Sequence, residues 1–249
     1  MIKSENILVS ITTTRGSDWR AKFAEATRLG LKECALFPTT LSQENRKEYF
    51  ELLEKSTIKH CPFVHLRSDM TIGEIEYLAK NFGTKVFNTH CGAEYPHIND
   101  WSRQSDKIFI ENVYNPFDPD EMKDWAGICL DVSHLENDRR LNPERFKSFT
   151  KALETYPIGC NHISGVGDKI RINGDGEQRF DTHRFDELSC FDYLINYPVK
   201  YFSKYCALEI ENSLEEQLKA KEYILGLCPK NQSGLIDKTT FPDRPKTAS

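Results

Sequence analysis

The stretch SITTTRGSDW, residues 10–19, decides between the two folds open to this chain. It joins the apolar run ILVSI (7–11) to the amphipathic segment SDWRAKFAEATRLG (17–30), which opens on a Ser cap and closes on Gly30. A strand running into a helix is common to open doubly wound sheets and to closed barrels. The open sheet normally places G-x-G-x-x-G at this turn, so that the backbone can approach a pyrophosphate. Residues 10–19 hold one glycine, Gly16, so the dinucleotide turn is missing and the barrel is expected.

The rest of the chain repeats the same alternation. Apolar, β-rich runs follow at CALFP (34–38), PFVHL (62–66), KVFNTH (85–90), KIFIEN (107–112), GICLDV (127–132), GCNHIS (159–164) and YCALEIEN (205–212). Amphipathic segments at 42–55, 71–83 and 212–227 fall between or after them. Eight strand–helix repeats predict an α/β fold, a single (β/α)8 TIM barrel, and a length of 249 residues is usual for one. The crossovers at 91–106 and 113–126 leave room only for short helices, so the barrel is compact after its fourth and fifth strands. The barrel domain is expected over 1–230, with 231–249 a polar, Pro-punctuated tail.

Cys34, Cys61, Cys91, Cys129, Cys160, Cys190, Cys206 and Cys228 are scattered singly, with no C-x-x-C pair, which points to reduced, buried thiols. A net charge of −5 gives no overall footprint for nucleic acid. With no long apolar run and no signal-peptide pattern, the expectation is a soluble cytoplasmic protein without membrane contact.

The functional signal is clearest in GICLDVSH, residues 127–134, where a core strand finishes on Asp131 and His134. Burying a carboxylate or an imidazole without a partner costs several kcal/mol, about 3–5 when a buried pair is broken. Neighbouring strands end similarly: His65 on the third, His90 on the fourth, Glu111 on the fifth, His162 on the seventh, and Glu209 and Glu211 on the eighth. RFDTHRFD adds Asp181 and His183 after the seventh strand. Barrel active sites form at the C-terminal strand ends, so these side chains converge on one mouth. Packed together, the carboxylates would repel one another, and divalent metal removes that penalty. Imidazole and carboxylate donors at about 2.0–2.2 Å are ordinary zinc coordination, and manganese accepts similar sets.

These motifs (VHL, NTH, FIEN, CLDVSH, NHIS, DTH and LEIEN) resemble endonuclease IV, AP endonuclease family 2, within the xylose isomerase-like TIM barrels. The resemblance implies a metal cluster of two or three ions, typically zinc, held by His65, His90, Glu111, Asp131, His134, His162, Asp181, His183 and Glu209. It also implies that Glu111 bridges ions and helps activate a hydroxide, and that Glu209 is the better match to the ligand on the last strand, with Glu211, which faces the same way, in reserve. Glu111 and Glu209 are thus the expected catalytic pair. Three divalent ions on these residues leave a net positive site, suited to metal-dependent hydrolysis of a phosphoester. The alternative is a sugar or sugar-phosphate isomerase or epimerase, which resembles the subset Glu111, Asp131, His162 and Glu209 around a single Mn or Mg ion. That chemistry has no obvious use for His65, His90, Asp181 and His183, and the hydrolase is favoured on that ground.

Substrate contacts are expected from Arg15, Arg67, Lys169 and Glu211, with Arg46 also near the second loop. The loops PTTLSQENRKE and RSDMTIGE carry no aromatic wedge for opening a duplex, so a small phosphorylated or sugar substrate is favoured over abasic DNA. GVGDKIRINGDGEQ (165–178) is read as a Gly-rich loop. Phe185, Phe191, Tyr193 and Tyr197 are read as packing a helix on the barrel, with Tyr193 or Tyr197 open to the surface.

Overall fold

The computed structural model describes residues 6–173 and 176–227. The expected tail at 231–249 and Cys228 lie outside the described residues, as do Gly174 and Asp175 of the Gly-rich stretch. The first strand, β1, comes in two pieces, Ile7–Leu8 and Ser10–Thr12, on either side of Val9. Parallel strands β2 (Ala35–Phe37), β3 (Phe63–His65), β4 (Val86–Thr89), β5 (Ile108–Glu111), β6 (Gly127–Asp131) and β7 (Ile158–Ile163) follow in spatial order. The last barrel strand, Cys206–Leu208, pairs with β7 on one side and with Ile7–Leu8 on the other, while Ser10–Thr12 pairs with β2. One strand thus bonds to both ends of the sheet, which closes the (β/α)8 barrel expected from the alternation.

Helices α1 (Trp19–Leu29), α2 (Gln43–Lys55) and α3 (Ile72–Asn81) cover the first half of the barrel. The α1 cap is Asp18, whose carboxylate accepts from the Ala21 amide, rather than the preceding serine. Gly30 ends the helix at φ 65°, a left-handed conformation that costs glycine little. The two thin crossovers carry only 3-10 turns, at Ser102–Lys107 and Glu121–Lys123. Helices α4 (Val132–Leu141), α5 (Pro143–Ala152) and α6 (Leu214–Leu227) cover the second half.

Side-chain alternation places the site. Leu8, Ala35, Phe37, Phe63, Val86, Phe109, Cys129, Cys160 and Ala207 form one buried cluster, the plug inside the barrel. The intervening strand residues face the helices in two outer clusters. Because strand side chains repeat every two residues, the position two beyond a plug residue also faces inward, one layer nearer the mouth. Phe63 leads in this way to His65, Phe109 to Glu111, Cys129 to Asp131, Cys160 to His162 and Ala207 to Glu209. The plug is tightly filled: a Cβ on Gly159 would come within 2.0 Å of the Phe109 ring.

Two expectations are corrected. The segment after β7 is not a simple loop but an antiparallel hairpin, β8 (Gly165–Ile172) with β9 (Gln178–Thr182). The last barrel strand is therefore β10 (Cys206–Leu208). Tyr193 and Tyr197 are both buried, in a 3-10 segment, Leu188–Asn196, that also holds Phe191, and at its end, with Phe185 buried just ahead of it. Tyr193 and Tyr197 donate to the Ser164 carbonyl and to Glu136. Among the described residues no helix is long and apolar enough to cross a membrane.

Candidate metal centre

Glu111, Asp131, His162 and Glu209 bring one ligand atom each to within 4.8 Å of one another, and all four are buried. His162 Nδ1 sits at the centre, 3.1 Å from Glu209 Oε2, 3.3 Å from Glu111 Oε2 and 3.9 Å from Asp131 Oδ2. Its ring is held by stacking between Phe63 and His65, with centroids 5.4 and 5.3 Å away. Asp131 ends β6 and caps α4. Its Oδ1 accepts from the His134 amide and from Ser133 Oγ, so its backbone position and one oxygen are fixed. Its other oxygen, Oδ2, is buried and has no hydrogen-bond partner, and neither has His162 Nδ1. Buried polar atoms of this kind are rare and expensive. A cation between them would satisfy both.

The histidine tautomers point the same way. His65 Nδ1 lies 2.9 Å from the Leu66 carbonyl, which requires the proton on Nδ1. In the neutral ring Nε2 is then a lone pair, facing Glu111 Oε2 at 3.0 Å. His134 repeats the arrangement: Nδ1 donates to the Asn112 carbonyl at 3.1 Å, and Nε2 faces Asp131 Oδ2 at 3.7 Å and Asp181 Oδ2 at 3.6 Å. Acceptors facing acceptors need a proton or a metal ion between them. Carbonyl-oriented imidazoles are also the usual second partner of metal-binding histidines.

Electrostatics act unequally on the donors: burial raises the Asp131 carboxyl, and against their burial the neighbouring Cys129, Glu111 and Glu209 push His162 well up and Asp131 raises His134, whereas the two glutamates are held low. Burial would raise the Glu209 carboxyl, but His162 and His183 outweigh it and hold it down at about 2. Burial likewise opposes ionisation of Glu111, and His162, His65 and His90 pull it well below the usual carboxylate range. His90, 3.8 Å from Glu111 Oε2 through Nε2, is lowered to about 4, mainly by loss of solvent around the ring. Three carboxylates and one imidazole make an oxygen-rich set that fits manganese or magnesium, and zinc accepts it too.

The structure thus brings all the expected ligand positions to one end of the barrel, in unequal roles. Glu111, Asp131, His162 and Glu209 form the tight group, and His65 joins Glu111 and His162 in a second, overlapping one. His90, His134, Asp181 and His183 line the cavity above. Asp181 already has a cationic partner: Arg179, itself buried, clamps it through Nε and Nη2, each at 2.8 Å. Of the two glutamates after β10, Glu209 belongs to the centre. Glu211 accepts the Gly16 amide at 3.0 Å and fixes the loop after β1, where a Cβ on Gly16 would collide with its carboxylate.

Of the expected basic contacts, Arg67 lines an adjoining cavity with His65 and His90. Arg67 is spent on the Leu41 carbonyl and Asp69, and Arg46 is fully buried between Asp69 and Glu74. Arg15 and Lys169 are exposed, and neither is among the residues lining the cavity over the centre. Three polar residues escaped the sequence reading. Asn88 donates to Glu111 Oε2 at 2.9 Å, and Asn112 braces Asp131 through both backbone groups at 3.0 and 2.7 Å. Asn88 was discoverable, because it lies two residues before His90 on the same strand face. Arg179 was discoverable on the same ground, two residues before Asp181 in RFDTH.

No protein-family model and no curated protein match the chain. Solved structures do. One is described as a xylose isomerase-like TIM barrel protein from Mycobacterium smegmatis in complex with magnesium, at 14% identity over 91% of this chain and 98% of that one, with a TM-score of 0.43. A likeness that weak carries no argument about chemistry. The fold rests on the closed strand register, and the resemblance to endonuclease IV stands on the quoted motifs alone.

Proposed function

We propose that the chain is a divalent-metal-dependent isomerase or epimerase acting on hydroxy-carbonyl compounds of the sugar class, with Glu111 and Glu209 as its proton-transfer groups. The observation that carries this is the four-residue group of Glu111, Asp131, His162 and Glu209, with Asp181 paired to Arg179. A divalent ion in that group would polarise adjacent carbonyl and hydroxyl oxygens of a bound substrate. Glu111 and Glu209 come from β5 and from the end of β10, each approaches His162 Nδ1, at 3.3 and 3.1 Å, and both line the cavity a substrate would enter. One carboxylate removes the proton beside the carbonyl, and the same group or its opposite number returns it. His134 and His90 face the same cavity and are placed to hold substrate hydroxyls.

A second ion position is favoured by one observation. His65 Nε2 and His90 Nε2 lie 3.0 and 3.8 Å from the same Glu111 oxygen. Filling it would make a two-ion centre suited to the phosphoester hydrolysis favoured on sequence grounds. The two chemistries separate in deuterated water. The manganese-loaded protein, offered a panel of ketoses, aldoses and their phosphates, is expected to exchange the proton beside the carbonyl. The Glu111→Gln and Glu209→Gln variants are expected to lose that exchange. Release of inorganic phosphate without exchange would replace the isomerase by the hydrolase.

A further inference from the structure

We propose that the hairpin wall of the cavity binds a phosphate monoester of the substrate through Arg171, Arg184 and His183. The inference rests on the substrate reaching the metal centre with its other end, and it names the substrate class as phosphorylated. One cavity of about 450 Å³ is lined by Glu111 and Glu209 at its floor and by Arg171, His183 and Arg184 on the hairpin side. Thr39, Tyr95, Val113 and Tyr114 add uncharged lining, and the cavity's arginines are Arg171, Arg179 and Arg184.

The two arginines differ from most others in the molecule. Arg46, Arg67, Arg139, Arg140, Arg145 and Arg179 each have a carboxylate partner within 4 Å. Among the described residues Arg171 and Arg184 have none, although both line the cavity. They are nevertheless organised. Arg171 Nη1 donates to Thr182 Oγ1 at 2.9 Å, and the same hydroxyl donates to the Arg184 carbonyl and accepts its amide, at 3.0 and 3.2 Å. Thr182 thereby ties the Arg171 guanidinium and the Arg184 backbone to the end of β9. The Arg179–Asp181 pair beneath them is internally neutral, so the charge the wall offers comes from Arg171 and Arg184. Two guanidinium forks match the charge and the oxygens of a phosphate dianion better than those of a carboxylate.

The probe is inorganic phosphate, titrated at low ionic strength into metal-free full-length protein and followed by 31P NMR line broadening. Wild-type protein is expected to bind it saturably, and acetate at equal ionic strength is not expected to displace it. Arg171→Met and Arg184→Met are each expected to weaken binding roughly tenfold, as loss of one charge-assisted bond would. Arg103→Met, which removes an exposed charge elsewhere, should leave binding unchanged. Absence of saturable binding to wild type, or equal binding by Arg184→Met and Arg103→Met, overturns the proposal. Manganese binding by the same preparations reports on the centre separately. Retained manganese with no phosphate binding overturns the anion site alone, whereas retained phosphate binding without manganese overturns the centre.

Discussion

Replacing Arg179 by methionine removes the cation that now satisfies Asp181. The two side chains are 8% and 5% exposed and joined by paired 2.8 Å bonds, so the aspartate would be left buried and uncompensated. Breaking a buried pair from one side costs about 3–5 kcal/mol, much more than an exposed pair contributes. Part of that loss should be recovered in Arg179→Met with Asp181→Asn, because the double variant buries no charge. In the single variant Asp181 Oδ2, 3.6 Å from His134 Nε2 and close to His183, becomes free to take an ion. Urea unfolding at pH 7 in chelator should show the full loss, and manganese at about 100 times its Kd should return about 2.7 kcal/mol to the single variant. Wild-type and double-variant protein should gain no such increment from this position. If Arg179→Met costs under about 1 kcal/mol in chelator, or if Asp181→Asn alone removes a bound ion from wild type, then Asp181 is a metal ligand and the clamp described here is wrong.

Other outcomes follow from single features. Lys22 is buried, donates to Thr12 Oγ1 and the Ile210 carbonyl at 3.0 Å each, and has its pKa lowered by burial to about 8. Between about pH 8 and 10.5 the unfolded chain holds this proton and the folded one does not. Stability from this group therefore rises with pH, by up to about 3 kcal/mol, and subtracting a Lys22→Met profile from that of wild type should reveal the slope. Gly159→Ala should destabilise by about 1–3 kcal/mol, because its Cβ would meet the Phe109 ring at 2.0 Å; an unchanged urea midpoint would show the plug to be loose. Asn88→Ala removes the 2.9 Å bond to Glu111 Oε2 and should weaken manganese about 10–100-fold, as loss of outer-shell partners does, with little change in urea stability.

The barrel and the floor of the site were legible for the same reason. Buried parallel strands read as apolar runs, and a polar residue ending such a run, as at Phe109–Ile110–Glu111, marks the mouth of a barrel. What was not legible depended on contacts distant in sequence. Arg179 stands two residues before Asp181, but that pair is buried only when β9 folds against β8 and the Phe180 amide bonds to Asn137 of α4. Arg46 sits in a polar stretch, and only the meeting of α2 with Asp69 and Glu74 buries it. The glycines of 165–178 suggested a loop, but alternation in DKIRI also suits a strand, and pairing of Arg171 with Arg179 decides for the strand. Glu209 and Glu211 look equivalent in LEIEN, but the strand ends at Leu208, and Glu209 turns to His162 while Glu211 takes the Gly16 amide.

Manganese titration of the metal-free protein, by calorimetry and electron paramagnetic resonance, tests the centre most directly. One tight ion per chain is predicted, lost in Asp131→Asn, His162→Ala and Glu209→Gln and kept in Asp181→Asn and His183→Ala. Three tight ions per chain, or one that survives both Asp131→Asn and His162→Ala, would contradict it.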